Sequence, residues 1–428
     1  MIGQQGGAPP PRLGYIIWRF PKISETFILR EMTALEQLGW TIDVFPFIVL
    51  DEDVRHPAAE RWMAQLPPPP AWPEVCQAYW TTLRRSPGVL LSLYVLLVSS
   101  LWREPRELAR GLVALGRAVV WARHAQERGI VHVHAHFARH PAVAALAMAR
   151  LAGITYSFTG HSHDIYRHPA MLATKVRGAR FVVTVSRLVR DHYIAPLVSA
   201  AELAKVHVVR CGVDTAAYRP RRSEPPCAHM ILAVGRLIEV KGLMYLIEAV
   251  RLLRERGLAV SLEIIGEGPL RASLEQQVKT AGLSDSVMLR GAQPQAEVQR
   301  ALEWTAMLVL PSIVTTDGTM EGVPVSLMEA MASGVPIVAT RTGAISELVQ
   351  NCVTGLLVEP RNASALADAI AQLLDDRMFG QRLADAARDH VLADFDLAVN
   401  VERLHHLLVQ TTGVESDAGT PAHPLVSR

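Results

Sequence analysis

TTDGTMEGVPVSLMEAMASGVPIVAT, Thr315–Thr340, decides the reading of this chain. Pro324 suits a first helical turn, and Leu327, Met328, Ala330 and Met331 are good helix formers. Gly334 suits the position after the last turn, and Pro336 forbids continuation. The apolar run Pro336–Thr340 follows. The stretch thus reads as loop, helix and buried strand. It also spaces two carboxylates, Glu321 in the loop and Glu329 inside the helix, the second roughly 7.5 Å past Pro324 along the axis. First-turn amides around Gly322 and Val323 have no intrahelical acceptor and form a seat for phosphate. Carboxylates at two depths beside that seat can grip a sugar nucleotide, one by the hexose and one by the ribose. The plainer reading is a Glu favouring the helix dipole and a solvated mid-helix Glu, and spacing alone favours it.

The same alternation runs along the chain. Short apolar runs fall at 15–20, 41–47, 131–137, 156–161, 181–186 and 205–213, then at 230–236, 261–268, 287–291, 306–312, 336–340 and 355–358. Most are continuous, as in parallel strands buried on both faces, and helical patterns separate them. This is α/β organisation occurring twice, with a break near 213–229, where RPRRSEPPCA interrupts the periodicity. Two such domains present the carboxyl ends of their strands to a shared cleft, where ligands bind.

Composition narrows the class. Half of the 428 residues are apolar, enough for a large core. The four cysteines, Cys76, Cys211, Cys227 and Cys352, are scattered without a CxxC pair, which argues against a zinc site or a disulfide framework and fits a reducing cytoplasm. The first residues, MIGQQGGAPPPRLG, are polar and Pro/Gly-rich and read as no secretory signal; the end, from residue 411, reads as a disordered tail. The net charge of +2 hides a basic first half, 25 Lys and Arg against 16 Asp and Glu in residues 1–220, and an acidic second half. A basic half can face nucleic acid, a membrane or an anionic substrate. The basic residues are dispersed, without an aromatic-rich sheet signature, so nucleic acid is not expected.

GRLIEVKG follows the first strand of the second half. It puts Arg236 at a strand's carboxyl end and Lys241 at the mouth of the next helix, a planar fork and a compact charge for a diphosphate. Together with GRLIEVKG, IIGEGP and the Thr315–Thr340 stretch resemble the retaining glycosyltransferases of family four, which have the GT-B fold. In the first half, SETFILREMTAL, VHAHFARHPAVAA, YSFTGHSHDIYR and FVVTVS resemble bacterial exopolysaccharide glycosyltransferases of the colanic-acid type. The likeness covers roughly residues 13–375.

The resemblance implies two Rossmann-like domains facing across a cleft: 1–212 on the acceptor side, 213–390 binding the nucleotide sugar, and a helix over 391–410 returning to the first domain. It implies that Arg236 and Lys241 bind the donor diphosphate with the amides of Gly322 and Val323. Glu321 would touch the donor hexose and Glu329 the ribose. His161 matches a histidine near the reacting carbon, so His161 and Glu321 are the expected catalytic pair. The implied reaction transfers a sugar with retention from a nucleotide-diphosphate sugar to a lipid-linked or polysaccharide acceptor. The alternatives are a sugar-nucleotide epimerase of the same fold and a silent nucleotide-sugar-binding module; the intact diphosphate and glutamate set argues against the silent module. The chain departs from the pattern at Thr319, where similar sequences usually carry Asp, and at Cys211, where they carry Asn.

No cofactor or metal is expected. The DED at 51–53 reads as a solvated loop away from the donor site. His132, His134 and His136 share one face of a strand, where packing or hydrogen bonding is the commoner role than zinc ligation. Arg236, Lys241 and helix amides can stabilise a leaving diphosphate by themselves. His136 and His161 end successive strands at the cleft, and Asp164 could orient His161. Ser24 and Glu25 open a helix at the same cleft and are candidate acceptor or phosphate contacts.

One segment stands apart. After the Pro-rich QLPPPPAWP (65–73), residues Val89–Trp102 run for 14 positions without a charge, bracketed by Arg84, Arg85 and Arg103. That is shorter than the roughly 18 residues of a membrane span. It reads either as a buried helix of the first domain or as a helix in the interface of the cytoplasmic leaflet.

Overall fold

The computed structural model describes residues 11–22, 26–50, 57–66, 70–166, 169–218, 227 and 229–413. Ser24, Glu25, the DED at 51–53 and nearly all of the expected tail lie outside them.

All twelve expected strands form, in two parallel six-stranded sheets. The first contains β1 (Arg12–Phe20), β2 (Thr41–Val49), β3 (Ile130–His136), β4 (Thr155–Gly160), β5 (Phe181–Thr184) and β6 (Val206–Val208), in the order β2-β1-β3-β4-β5-β6. The second contains β7 (Met230–Val234), β8 (Ser261–Ile265), β9 (Val287–Gly291), β10 (Met307–Leu310), β11 (Ile337–Thr340) and β12 (Leu356–Val358), in the order β12-β11-β10-β7-β8-β9. Continuous apolar runs fill the central strands because helices cover both faces; β5, β10 and β11 are buried throughout.

The strand order places the site. In each sheet the chain starts at an interior strand, moves to one side, then returns to the other. Loops leaving β1 and β3, and those leaving β7 and β10, therefore diverge and open a crevice at the carboxyl ends. GRLIEVKG follows β7 and the Thr315–Thr340 stretch follows β10, so both sequence features arrive at one switch point.

Between β2 and β3 the first domain carries helices Pro57–Ala64, Trp72–Arg85, Pro87–Leu101 and Pro105–Arg128. Among the described residues no helix is long and apolar enough to cross a membrane. The segment 89–102, expected as a buried helix or as one in a membrane interface, is a helix with one buried and one exposed face. Leu90, Leu93, Leu97 and Leu101 pack inward, while Leu91, Val95, Val98 and Trp102 are exposed.

The last helix, Leu397–Thr412, packs on the first domain: Val401, Leu404 and Leu408 join its core, and the Trp40 indole donates to His405 Nδ1 at 2.8 Å. The two chain crossings between domains are zipped together. Val213 N–H donates to Phe395 O and Leu397 N–H to Val213 O, both at 2.9 Å. Gly212 is required there, since a Cβ would lie 2.4 Å from Leu397 Cα. Gly212→Ala should therefore cost about 1–3 kcal/mol by overpacking. Gly88→Ala, in open space within a helix, should be neutral or slightly stabilising. Urea unfolding midpoints of the two variants test the contrast; equal midpoints would show that the crossing has slack.

Candidate active site

The helix Val325–Ala332 begins after Pro324 and ends before Gly334, whose φ of 67° closes it. Glu321 sits in the loop ahead of it, and its carboxylate meets Lys241 Nζ at 3.0 Å. The Lys241 stem lies over Gly235, where a Cβ would approach its Cε to 3.0 Å. The backbone of Glu321 is pinned from β11's exit loop: Ala344 N–H donates to its carbonyl, and a Cβ on Gly343 would lie 2.0 Å from that oxygen. Arg236 is exposed at the end of β7, and no acidic side chain pairs with it among the described residues. Among the described residues, this edge therefore carries one cation paired with a carboxylate and one that is not.

Glu329 is not the solvated helix residue of the plainer reading. It is 5% exposed, and its carboxylate accepts from Gln295 Nε2 at 3.0 Å. Burial raises its pKa, opposed by the Tyr218 hydroxyl, the charge of Arg30 and the Gln295 amide. Arg30 comes from the helix Thr26–Gln37 of the first domain, so this carboxylate is addressed across the cleft.

The first domain brings His161 and Ser162 to the same seam. Ser162 has φ 87°, and its hydroxyl would lie 2.8 Å from a Cβ on Gly322, which explains glycine there. The hydroxyls of Ser312, Thr319 and Thr342 are buried without a hydrogen-bond partner among the described residues. Asp164 holds His161 by the backbone rather than the ring: it accepts the N–H groups of Ala138 at 2.5 Å and His161 at 2.8 Å. Burial raises the Asp164 pKa, and those amides and Lys175 oppose the rise. Buried Lys175 completes the scaffold by donating to Ala138 O and Ala170 O, and burial lowers its pKa to about 8.

The ring of His161 points inward. His136 Nδ1 lies 3.0 Å from His161 Nε2, and His136 Nε2 lies 3.0 Å from Glu31 Oε1, which also accepts from the Tyr15 hydroxyl at 2.8 Å. The Glu31 carboxylate can only accept, which puts the His136 proton on Nε2. His136 Nδ1 then accepts from His161 Nε2–H, leaving His161 Nδ1 facing the Cys211 thiol at 3.7 Å. Burial, then the neighbouring His136, lowers the His161 pKa, so the ring is neutral.

Below this, His132 and His134 alternate with hydroxyls of β4: Thr155, Ser157 and Thr159 contact their ring nitrogens at 2.6–2.9 Å. Glu31, His134 and His136 offer ligand atoms within 4.8 Å of one another, but each ring nitrogen of these histidines already faces a protein partner. Their present geometry is that of a hydrogen-bonded ladder.

Sequence reasoning missed Glu31, Arg30, Ser162, Tyr218, Gln295 and Glu347. Glu347 accepts the N–H groups of Arg187 and Leu188 at 2.9 and 2.8 Å and pairs with Arg210 at 3.0 Å, latching the domains. Its partners lie 137 to 160 residues away, a pairing no local pattern displays.

Two facing doubly wound sheets, with a lysine, an arginine and two spaced glutamates at one switch point, have the architecture of the GT-B fold. Comparison with known proteins agrees. Residues 214–390 match the family "Glycosyl transferases group 1". Over 93% of its length the chain is 28% identical to the amylovoran biosynthesis glycosyltransferase AmsK of Erwinia amylovora, covering 99% of that protein. Coverage and identity are the same for the putative colanic acid biosynthesis glycosyltransferase WcaL of Escherichia coli K12. The fold matches a glycosyltransferase from Rickettsia africae at TM-score 0.66 and 17% identity, over 94% of this chain and 98% of that one. It also matches Anabaena HepE, solved with UDP, at TM-score 0.67 and 16% identity, over 94% and 100%. Residues 214–390 are thus a group 1 glycosyl transferase domain, and the chain that carries it is a glycosyltransferase.

The ladder makes a prediction about acid. Burial lowers the pKa of His132 to about 3 and drives that of His134 down as well, while an unfolded histidine titrates near 6.5. Below pH ~6.5 the unfolded chain binds protons that the folded chain refuses, so this contribution is complete above ~6.5 and is lost as pH falls. Each pH unit costs up to about 1.4 kcal/mol per such histidine. Urea midpoints should drop between pH 7 and 5, and His132→Gln should flatten that slope by about one proton. An unchanged slope would mean the ring charges while folded.

Proposed function

We propose that this protein is a retaining hexosyltransferase of exopolysaccharide or cell-surface glycan synthesis, working on the cytoplasmic face of the membrane. It would move a sugar from a nucleotide-diphosphate sugar to a lipid-linked or polysaccharide acceptor. The observation that carries this reading is the Lys241–Glu321 pair, set beside Gly322 ahead of the helix Val325–Ala332 and facing His161 and Ser162 across the seam. A lysine already neutralised by one carboxylate can exchange that partner for a diphosphate without a large change in the charge it meets. Glu321, so released, is left beside the hexose.

In this reading Arg236 is the second diphosphate ligand, a guanidinium that no carboxylate holds among the described residues. The amides of Gly322 and Val323 add fixed dipoles, so the leaving group is stabilised without a metal. Glu329 takes the ribose from its depth in the helix. His161 works through position: its ring is locked by Glu31 and His136, and its loop is held by Asp164 against the donor loop. Ser24 and Glu25 remain candidate acceptor contacts by their place after β1. The relatives named for amylovoran and colanic acid synthesis support the product class, and HepE, solved with UDP, supports a nucleotide-sugar donor.

The decisive experiment is acceptor-dependent release of nucleoside diphosphate, which an epimerase or a silent binding module would not show. Arg236→Ala and Lys241→Ala should each weaken binding of donor and of free nucleoside diphosphate, by roughly 1.5–3 kcal/mol for each charge-assisted hydrogen bond removed. Glu329→Ala should lower affinity for nucleotide and donor together. Glu321→Ala should spare nucleotide binding and depress kcat. Calorimetric titration with UDP and GDP, followed by steady-state kinetics, measures both, and equal nucleotide-affinity decreases for the two glutamates would refute the division. Activity should survive EDTA; restoration by added metal after chelation would refute metal independence.

A further inference from the structure

The helix Pro87–Leu101 contains no charged residue and presents two apolar faces. Leu90, Leu93, Leu97 and Leu101 pack against the first domain, the last two touching the space over Gly111. Leu91, Val95, Val98 and Trp102, spaced four, three and four apart, form a second stripe that is 47–65% exposed. An exposed apolar stripe of full helix length has no role in the first domain's core. On the preceding helix, Trp72–Arg85, Trp80 and Leu83 are exposed as well, and Tyr79 ties that helix to Tyr94 of the stripe's own helix at 3.5 Å.

Arginines outnumber acids at this surface, where Glu74 and Glu104 are exposed beside Arg84, Arg85, Arg103 and Arg106. Arg84 lies over the Trp80 ring at 4.3 Å and Arg103 over the Trp102 ring at 4.7 Å. With Arg85 and Arg106 these are exposed guanidiniums that no carboxylate pairs with among the described residues. Indole and guanidinium stacked together suit the boundary between acyl chains and phosphate headgroups. One end of the stripe is tied through the next helix to the exit of β3. Trp102 leads within five residues to Glu107, which holds Arg139 at 2.7 Å and His140 at 3.0 Å on the loop leaving β3. The Trp102 end is therefore the end nearest the acceptor side of the site.

We propose that this face, Leu91–Val95–Val98–Trp102 with Trp80 and the flanking arginines, docks the protein on an anionic lipid bilayer. The helix lies in the interface without crossing it, and the cleft opens toward the headgroups. This docking face supplies the lipid side of the transferase reading but does not depend on it. Apolar burial and basic attraction act together, so binding weakens with salt without vanishing.

The test is flotation of the full chain with phosphatidylglycerol-containing vesicles and with neutral phosphatidylcholine vesicles, without donor or acceptor, so the outcome is independent of the transferase reading. The wild type is expected to float with the anionic vesicles. Leu91→Glu/Val95→Glu/Val98→Glu substitutes only exposed positions, and circular dichroism and melting confirm its fold. It should lose binding by roughly tenfold or more. Arg84→Gln/Arg103→Gln should lose the preference for anionic lipid while keeping residual binding. A wild type that stays off anionic vesicles at low salt overturns the proposal, as does a triple variant that floats like wild type. So does light scattering that shows a dimer dissolved by the triple substitution, because the stripe would then belong to a second copy.

Discussion

A parallel strand can reach its neighbour only by crossing a face of the sheet, so every loop that follows a strand lies on the same edge. The rest of this molecule depends on that constraint. Two sheets, each started at an interior strand, supply two edges with a crevice at the switch point. Lys241 arrives after β7 and Glu321 after β10, 80 positions later in the chain, and they meet at 3.0 Å because β7 and β10 are neighbours. His161 and Ser162 arrive after β4 on the opposing edge. Chemistry assembled from distant sequence is thus a consequence of strand order.

Within this frame, electrostatics and burial divide the labour. The second domain leaves Arg236 exposed, partly covers Lys241 against Glu321, and sinks one carboxylate, Glu329, into a hydrogen-bonded recess. The first domain buries a row of histidines. Burial and neighbouring imidazoles lower the pKa values of His134 and His161, and Glu31 holds His136, which in turn meets His161. A buried, hydrogen-bonded ladder of this kind is costly to protonate.

Much of this was legible in the sequence, for reasons that are local. The twelve strands showed as continuous apolar runs because both sheet faces are covered. The helix after Glu321 was marked by Pro324 and Gly334, residues whose backbone limits act where they stand. Arg236, Lys241 and Glu321 sit between a strand and the helix that follows, and Glu329 within such a helix, so their place on the edge follows from the alternation of elements. What could not be read depends on pairings over long separations or on side-chain direction. Glu31 meets His136 across 105 residues, and the His161 ring turns inward although its backbone faces the seam. The uncharged run at 89–102 offered two readings because apolarity alone does not say which face is covered; burial of Leu93 beside exposure of Leu91 does.

The zipped crossing at Val213 and Asp396 has a mechanical consequence. Two separate tethers would fix an axis and confine the domains to swinging about it. Tethers hydrogen-bonded side by side act as a single pivot, leaving tilt and twist both available. Directional control of the cleft then falls to contacts away from the pivot. Glu347, gripping two amides and a guanidinium of the other domain, is placed to supply it, as a clasp beside a ball joint.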